Sequence, residues 1–231
     1  MENVRVQVEP RDVLAIPHFA SLTEAEAATV APLLRCQRLA PRGRLMTEGE
    51  PCAGFYLVRR GTLRLFRTAP DGREQTLRIV GPGETFGEVP VFDGGPNAAS
   101  VEALEEAVVV LVPAAVAQVL VERYPAVARA LLRHLAVRLR AFNELVEQLS
   151  LQTVQQRLAR YLYTEARETG QLTAEGVVIA RRLSGQDLAS LVGSVREVVA
   201  RSLRALEDEG VIAVERHRYV VRDLEGLRRY L

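Results

Sequence analysis

The stretch LSGQDLASLVGSVREVVARSLRALEDEGVI, residues 183–212, carries two helical patterns separated by a glycine. In the first, Ser184 is followed three residues later by Asp187, which is a capping-box pattern that marks a helix start. Gly193 suits the tight turn that follows, and we expect Ser194 to cap the second helix. Two short helices joined by a glycine turn predict a helix–turn–helix.

The second helix combines an apolar stripe with a charged face. Apolar residues recur at steps of four, four and three, which predicts that one side is buried. These residues are Val195, Val199, Leu203 and Leu206. On the opposite side, Glu197 and Arg201 lie one turn apart. Arg196 adjoins them at the helix start, and Arg204 extends the face.

This charged face has the chemistry of a DNA-reading helix. Arginine can donate two hydrogen bonds to guanine, glutamate can accept one from cytosine, and N-terminal residues of a recognition helix meet base edges. The alternative is that Glu197 completes a capping box with Ser194 and pairs with Arg201 at the surface. Phosphate contacts are expected from residues at helix starts and in the C-terminal hairpin. These are Ser184, Gln186, Ser194, Arg216, His217 and Arg218.

Residues 37–112 alternate short β-rich runs with glycine-bearing turns, and Asp71-Gly72 is a hairpin signal. Strands at a spacing of roughly ten residues predict an all-β sandwich or barrel. Before this region, residues 21–36 predict a short helix that Ser21 or Thr23 can cap.

A long helix is predicted after Tyr124-Pro125, because neither proline nor glycine interrupts the pattern that follows. Steps of three and four residues, typical of a coiled-coil seam, define a first stripe. It comprises Ala128, Leu131, Leu135, Arg138, Phe142, Leu145 and Leu149. A second stripe lies beside it and comprises Leu132, Ala136, Leu139 and Val146.

Two apolar stripes need two partners. We expect one stripe to pack on the chain's own β-domain and the other on a second copy of the chain; the alternative is a long core helix in a monomer. The sequence assigns the dimer interface to the first stripe, at Leu131, Leu135, Arg138, Phe142, Leu145 and Leu149.

Composition limits the classes of function. A net charge of +1 argues against a protein that coats nucleic acid indiscriminately. No apolar run approaches the roughly 18 residues of a membrane span, and the N-terminus lacks a signal sequence, which predicts a cytoplasmic protein without a membrane partner. We find no nucleophile–base pair, metal cluster or P-loop, so an enzyme is not expected.

Cys36 and Cys52 form no CxxC pair and are expected to be reduced thiols. Whether they have a redox role stays open.

These elements together resemble the cAMP receptor protein/fumarate–nitrate regulator (CRP/FNR) superfamily. The resemblance rests on the helix–turn–helix segment, on the order of elements and on glycines of the β-domain, namely Gly43, Gly49, Gly61, Gly83 and Gly87. It implies an α+β fold with an N-terminal cyclic-nucleotide-binding-like β-roll, or jelly roll, over residues 1–124. A long dimerisation helix over 125–150 and a winged helix–turn–helix over 151–231 would follow.

The motif R-E-x-x-x-R, here Arg196, Glu197 and Arg201, is similar to the reading triad of the cAMP receptor protein branch. It implies a homodimeric transcription regulator that reads TGTGA-like half-sites in near-palindromic double-stranded DNA. The resemblance also implies RNA polymerase as a partner and activation of transcription as the role. The sequence itself does not decide between activation and repression. The cluster-binding cysteines of the fumarate–nitrate branch are missing, which argues against an iron–sulfur sensor.

The stretch GETFGEVPVFDGGPNAASVEAL, residues 83–104, resembles the phosphate-binding cassette of the cyclic-nucleotide branch. Gly87 and Glu88 fit the Gly-Glu pair of that cassette. Its Arg-Ser pair, which holds the cyclic phosphate, is replaced by Asn97 and Ala98, and these supply no compensating charge. Residues Phe142 and Asn143 replace a small hydroxyl pair that meets the adenine.

These replacements predict that cAMP is not the effector. Either another ligand binds, or side chains such as Phe142 fill the pocket and the dimer binds DNA constitutively. The alternatives are a cAMP-dependent regulator with an atypical pocket and a ligand-binding module that acts through protein contacts. No cofactor is certain. Haem is disfavoured because His18 and His134 stand alone in the sequence, and a lone histidine is more often a core or surface residue than a ligand.

Overall fold

The computed structural model describes residues 8–180, 183–216 and 218–231, so the predicted wing residue His217 lies outside the described part. The chain forms two compact units. One comprises Met1–Arg67 and Leu77–Phe142, and the other comprises Thr68–Thr76 and Asn143–Leu231. The units divide within the long helix rather than at either of its ends, where the sequence places the domain boundaries.

Eight strands build the β-domain over the residues that the structure describes. They are β1 (Arg35–Leu39), β2 (Arg44–Met46), β3 (Gly54–Arg60), β4 (Leu63–Thr68), β5 (Glu74–Val80), β6 (Thr85–Phe86), β7 (Ser100–Ala103) and β8 (Ala107–Pro113). One sheet has the order β1-β8-β3-β6 and the other β2-β7-β4-β5. Apolar side chains of both sheets, such as Val58 and Leu63, share one buried core. This arrangement confirms the predicted β-sandwich.

Glycines allow the tight connections of the β-domain. Gly72 has a φ of 84° in the turn between β4 and β5, as the Asp71-Gly72 signal predicts. At Gly61, between β3 and β4, φ is 81° and an added Cβ would lie 2.4 Å from the carbonyl oxygen of Glu106. Only glycine fits this close approach.

Helices cover the outer face of the sheet that contains β3 and β8. They are α1 (Pro10–Leu14), α2 (Glu24–Val30), α3 (Glu88–Asp93), α4 (Ala114–Arg123) and α5 (Pro125–Leu151), with 3₁₀ turns at Pro17–Phe19 and Ala31–Leu33. A second core lies between them and the sheet and includes Phe19, Phe55 and Val127. Thr23 caps α2, which confirms one of the two predicted caps.

The C-terminal part of the chain forms a winged helix–turn–helix. Its elements are α6 (Val154–Glu168), β9 (Gln171–Thr173), β10 (Gly176–Ala180), α7 (Gly185–Leu191), α8 (Arg196–Asp208), β11 (Ile212–Val214), β12 (Arg218–Val221) and α9 (Leu224–Arg228). The sheet order is β11-β12-β10-β9, and Leu158, Leu188 and Leu206 are fully buried between the helices. The predicted α+β fold class is therefore confirmed.

Across the described residues, the structure has no helix with both the length and the apolar character needed to span a bilayer. Cys36 and Cys52 are free, and burial raises the pKa of both thiols.

Candidate nucleic-acid interface and ligand cavity

The first helix of the helix–turn–helix, α7, begins at a complete capping box. The Ser184 hydroxyl accepts from the backbone N–H of Asp187 at 3.2 Å and donates to its carboxylate at 2.6 Å. That carboxylate also accepts from the backbone N–H of Ser184. Three bonds fix the helix start, which confirms the predicted cap.

The second helix, α8, begins one residue later than the sequence suggests. Its N-cap is Val195, which makes no side-chain capping bond. Ser194 still belongs to the turn, because its backbone N–H donates to the carbonyl of Ala189. The predicted Ser194 cap is therefore wrong, and so is the alternative capping box between Ser194 and Glu197.

The apolar stripe of α8 is shorter than predicted. Val199, Leu203 and Leu206 are buried as expected. Val195 is 44% exposed, so its assignment to the buried stripe is wrong. As the N-cap, Val195 has extended backbone geometry, which removes it from the helical periodicity that the stripe assumed.

The charged face of α8 points outward. Arg196, Glu197, Arg201 and Arg204 are all exposed. Within the described part of the chain, none of these four side chains makes an ion pair or a hydrogen bond, so the surface pair between Glu197 and Arg201 does not form. Four exposed polar side chains on one helix are therefore free to meet another molecule.

The expected phosphate contacts differ in exposure. Ser184 and Gln186 are exposed at the start of α7, and Ser194 is half-buried. At the hairpin of β11 and β12, Arg216 is exposed, whereas Arg218 donates to both carboxylate oxygens of Glu215. A partner carboxylate reduces the attraction of Arg218 for a phosphate.

A cavity of about 390 Å³ lies in the β-domain, against the middle of α5 at residues 135–142. Its walls are mostly apolar, and four of the predicted effector-pocket residues line it: Gly87, Glu88, Ala98 and Phe142. The other two predicted residues do not line it. The side chain of Asn97 donates to the carbonyl of Thr47 at 3.2 Å, and Asn143 is exposed on the part of α5 that belongs to the other unit.

Two arginines line the same cavity. Arg78 and Arg138 both donate to Oε1 of Glu84, at 3.0 and 3.1 Å. Burial, and then the neighbouring charge of Arg138, lower the pKa of Arg78. The Nε atoms of both arginines are buried and lack a hydrogen-bond partner among the described residues.

Glu88 lies in a polar cluster that the sequence did not reveal. Its Oε1 is 3.4 Å from Nε2 of His18 and 3.4 Å from Nε2 of His134. The Thr85 hydroxyl is 3.1 Å from the same nitrogen of His18. Burial raises the pKa of Glu88, but polar contacts with the two histidines and Thr85 outweigh it, so the net pKa is far below the ordinary value.

The two histidines are therefore not isolated, which corrects the interpretation from sequence. Their ring centroids are 4.6 Å apart. His18 lies in the 3₁₀ turn after α1, Glu88 at the start of α3 and His134 on α5. No spacing rule connects residues so far apart in the chain, so only the fold brings them together.

The two stripes of α5 face different surroundings. Leu131 is 6% exposed and packs on its own domain near Phe19 and Phe55, and Leu135 and Arg138 line the cavity. These three predicted interface residues therefore face the chain's own β-domain. Phe142 is 52% exposed, and Leu145 and Leu149 are half-buried. The large exposed apolar residues of the second stripe are Leu132, Leu139 and Val146, and Leu139 also borders the cavity.

Comparisons with known proteins agree with this architecture. A family model for the cyclic nucleotide-binding domain matches residues 36–124, and one for the Crp-like helix-turn-helix domain matches residues 156–230. A CRP-like cAMP-activated global transcriptional regulator of Mycobacterium tuberculosis is 33% identical over 82% of this chain and 85% of its own length. The cyclic AMP receptor protein of Thermus thermophilus is 36% identical over 76% of this chain and 79% of its own length.

A solved structure of a CooA mutant from Carboxydothermus hydrogenoformans is similar in fold. It superposes with a TM-score of 0.76 and 22% identity, over 98% of this chain and 97% of that one. At that identity the likeness concerns the fold alone.

Proposed function

The chain belongs to the CRP/FNR family of DNA-binding transcription regulators, and from that premise we propose that it is a homodimer that reads TGTGA-like half-sites through α8. The relatives that establish the family are regulators and not enzymes. The observation that carries the proposal is the exposed, unpaired face formed by Arg196, Glu197 and Arg201.

The geometry of that face suits base edges. Arg196 and Glu197 occupy the first turn of α8, and Arg201 follows Glu197 by one turn on the same side. A helix laid with its N-terminus in the major groove presents such residues to consecutive base pairs. The arginines then bind guanines and the glutamate accepts from a cytosine amino group, which is the pattern of a TGTGA half-site.

Arg204 and the start of α7 would hold the DNA backbone. Arg204 lies further along α8, and Ser184 and Gln186 are exposed where α7 begins. Hydroxyl, amide and guanidinium groups at such positions fix the register of a protein on phosphates and carry no sequence information themselves.

The exposed stripe of α5 supports the dimer. Leu132, Leu139 and Val146 recur every seven residues, which is the repeat of a two-stranded coiled coil, and they are 66%, 62% and 47% exposed. A soluble regulator gains stability by covering such a row with an equivalent row. A second copy of α5 supplies one by symmetry, and the two copies of α8 then meet successive half-sites.

The cavity favours an effector other than cAMP. No arginine stands at the cassette position of Asn97, whose side-chain amide is engaged by Thr47, and Ala98 offers no donor. Arg78 and Arg138 do line the cavity, but they share Glu84. The second candidate is cAMP-dependent activation. It is favoured by the similarity to a cAMP-activated regulator of Mycobacterium tuberculosis and to the cyclic AMP receptor protein of Thermus thermophilus. Calorimetry tests whether cAMP binds the protein. A DNA-binding assay without any additive then separates a constitutive regulator, which binds DNA alone, from one that needs an effector.

The test of DNA reading uses fluorescence anisotropy with a TGTGA palindrome and with duplexes in which one base pair of each half-site is exchanged. Glu197→Ala is expected to remove the preference at its cytosine, about 1–3 kcal/mol of discrimination. Asp208→Ala, which removes an exposed carboxylate at the other end of α8, is the control and should preserve it.

Indifference of the wild-type protein to all duplexes would contradict the proposal. That outcome would favour a module that acts through protein contacts.

A further inference from the structure

From the cluster of His18, Glu88 and His134 we infer a binding site for one divalent first-row transition-metal ion, with Zn²⁺ as its representative. The three side chains are brought together by the 3₁₀ turn after α1, by α3 and by α5. One ligand atom from each lies within 4.8 Å of the others. All three residues belong to the unit that contains the β-domain, and the test of the site does not depend on DNA.

The distances fit ligands of one ion better than hydrogen bonds. An N–H···O bond usually spans about 2.7–3.2 Å. Glu88 Oε1 is 3.4 Å from Nε2 of His18 and equally far from Nε2 of His134. Two atoms that one tetrahedral ion holds at 2.0–2.2 Å are about 3.3–3.6 Å apart. Both separations match that edge of a tetrahedron.

An unsatisfied nitrogen is the second observation. Nε2 of His134 is buried and has no hydrogen bond within the described part of the chain, although it faces the carboxylate. A buried polar atom without a partner costs free energy, and a metal ion would satisfy it. The Thr85 hydroxyl is 3.1 Å from Nε2 of His18, and an ion bound to that nitrogen would take the place of this contact.

The chemistry of the three ligands selects the class of ion. Two imidazoles and one carboxylate suit Zn²⁺, Fe²⁺, Co²⁺ or Ni²⁺, whereas Mg²⁺ and Ca²⁺ prefer oxygen ligands alone. The carboxylate also offsets part of the ion's charge in a site where two of the three side chains are almost completely buried. His134, the most exposed of the three at 16%, marks the side from which an ion enters.

The experiment titrates Co²⁺ into full-length protein that has been stripped with chelator, and follows the visible d–d absorption. We expect one equivalent per chain with nitrogen and oxygen ligation, displacement by Zn²⁺, and a rise in Tm of about 5–10 °C at saturating Zn²⁺. Glu88→Gln and His134→Gln should each weaken Zn²⁺ binding on the order of 100-fold or more.

His217→Gln is the matched control, because it changes the third histidine of the chain, and it should bind Zn²⁺ as the wild type does. Circular dichroism of each variant in chelator checks its folding. If Glu88→Gln unfolds, the more exposed His134→Gln carries the test. Absence of a Co²⁺ spectrum, a thiolate charge-transfer band that indicates Cys36 or Cys52, or an equal loss in His217→Gln would each overturn the site.

Discussion

Arg138 on α5 donates to Oε1 of Glu84 at 3.1 Å and so ties the long helix to the turn between β5 and β6. The same oxygen accepts from Arg78, and the other carboxylate oxygen accepts from the backbone N–H of Gly81. Burial raises the pKa of Glu84, but the bonds from Gly81, Arg78 and Arg138 outweigh it and leave the pKa below the ordinary value. One carboxylate therefore joins three parts of the β-domain.

Glu84→Gln should lower the free energy of unfolding at neutral pH by about 0.2–1 kcal/mol, the range for partly exposed ion pairs. Because the folded pKa of Glu84 is depressed, its contribution is present above the ordinary value of 4.5 and is lost as the pH falls below it. The difference in stability between wild type and variant should therefore shrink below about pH 4.5 in urea titrations. Glu106→Gln, which changes an exposed glutamate, should show no such difference.

Ser184→Ala should destabilise the winged helix–turn–helix by about 0.5–2 kcal/mol, because it removes the side-chain cap of α7. Ser194→Ala is the paired control. Its hydroxyl caps nothing, since α8 begins at Val195, so this change should cost much less. Chemical denaturation measures both. Equal losses in the two variants would show that the assigned helix starts are wrong.

Arg201→Ala should weaken binding to the TGTGA palindrome and relax the preference at one base pair, by about 1–3 kcal/mol of discrimination. Binding to a random duplex should change less, since that binding depends mainly on phosphate contacts. Arg167→Ala, an exposed arginine on α6, controls for loss of one positive charge. A variant Arg201→Ala that keeps the base preference of the wild type would remove Arg201 from the reading face.

The sequence predicted those parts of the fold that depend on local signals. The Ser184 capping box, the Asp71-Gly72 hairpin and the uninterrupted run after Pro125 each specify their element through nearby residues, and all three are present. The start of α8 was misplaced because Ser194 has the right chemistry for a cap but remains in the turn, bonded to Ala189.

The parts that depend on tertiary contacts were harder to predict. His18, Glu88 and His134 meet only because three separate segments pack together. Similarly, two parallel stripes on one helix do not reveal which stripe faces the β-domain. The structure shows that Leu131 of the first stripe is buried on its own domain.

We therefore propose that Leu139 of the second stripe lies in the dimer interface. Leu139→Glu should shift the protein to monomer in sedimentation experiments, because the change removes an apolar contact from both copies and introduces charge. A buried leucine contributes about 1.5–3 kcal/mol, so the loss of two weakens association by about 3–6 kcal/mol. Val137→Glu is the matched control. Val137 is 58% exposed, but it lies two residues before Leu139 and so on a different side of the helix.

Leu135→Glu tests the first stripe of α5. Leu135 and Leu139 both border the cavity, but Leu135 is half-buried whereas Leu139 is 62% exposed. A glutamate at Leu135 should therefore lower the free energy of unfolding of the β-domain rather than dissociate a dimer selectively. If Leu139→Glu stays dimeric while Leu135→Glu becomes a folded monomer, the first stripe forms the interface after all. The packing of Leu131 on its own domain predicts the reverse order.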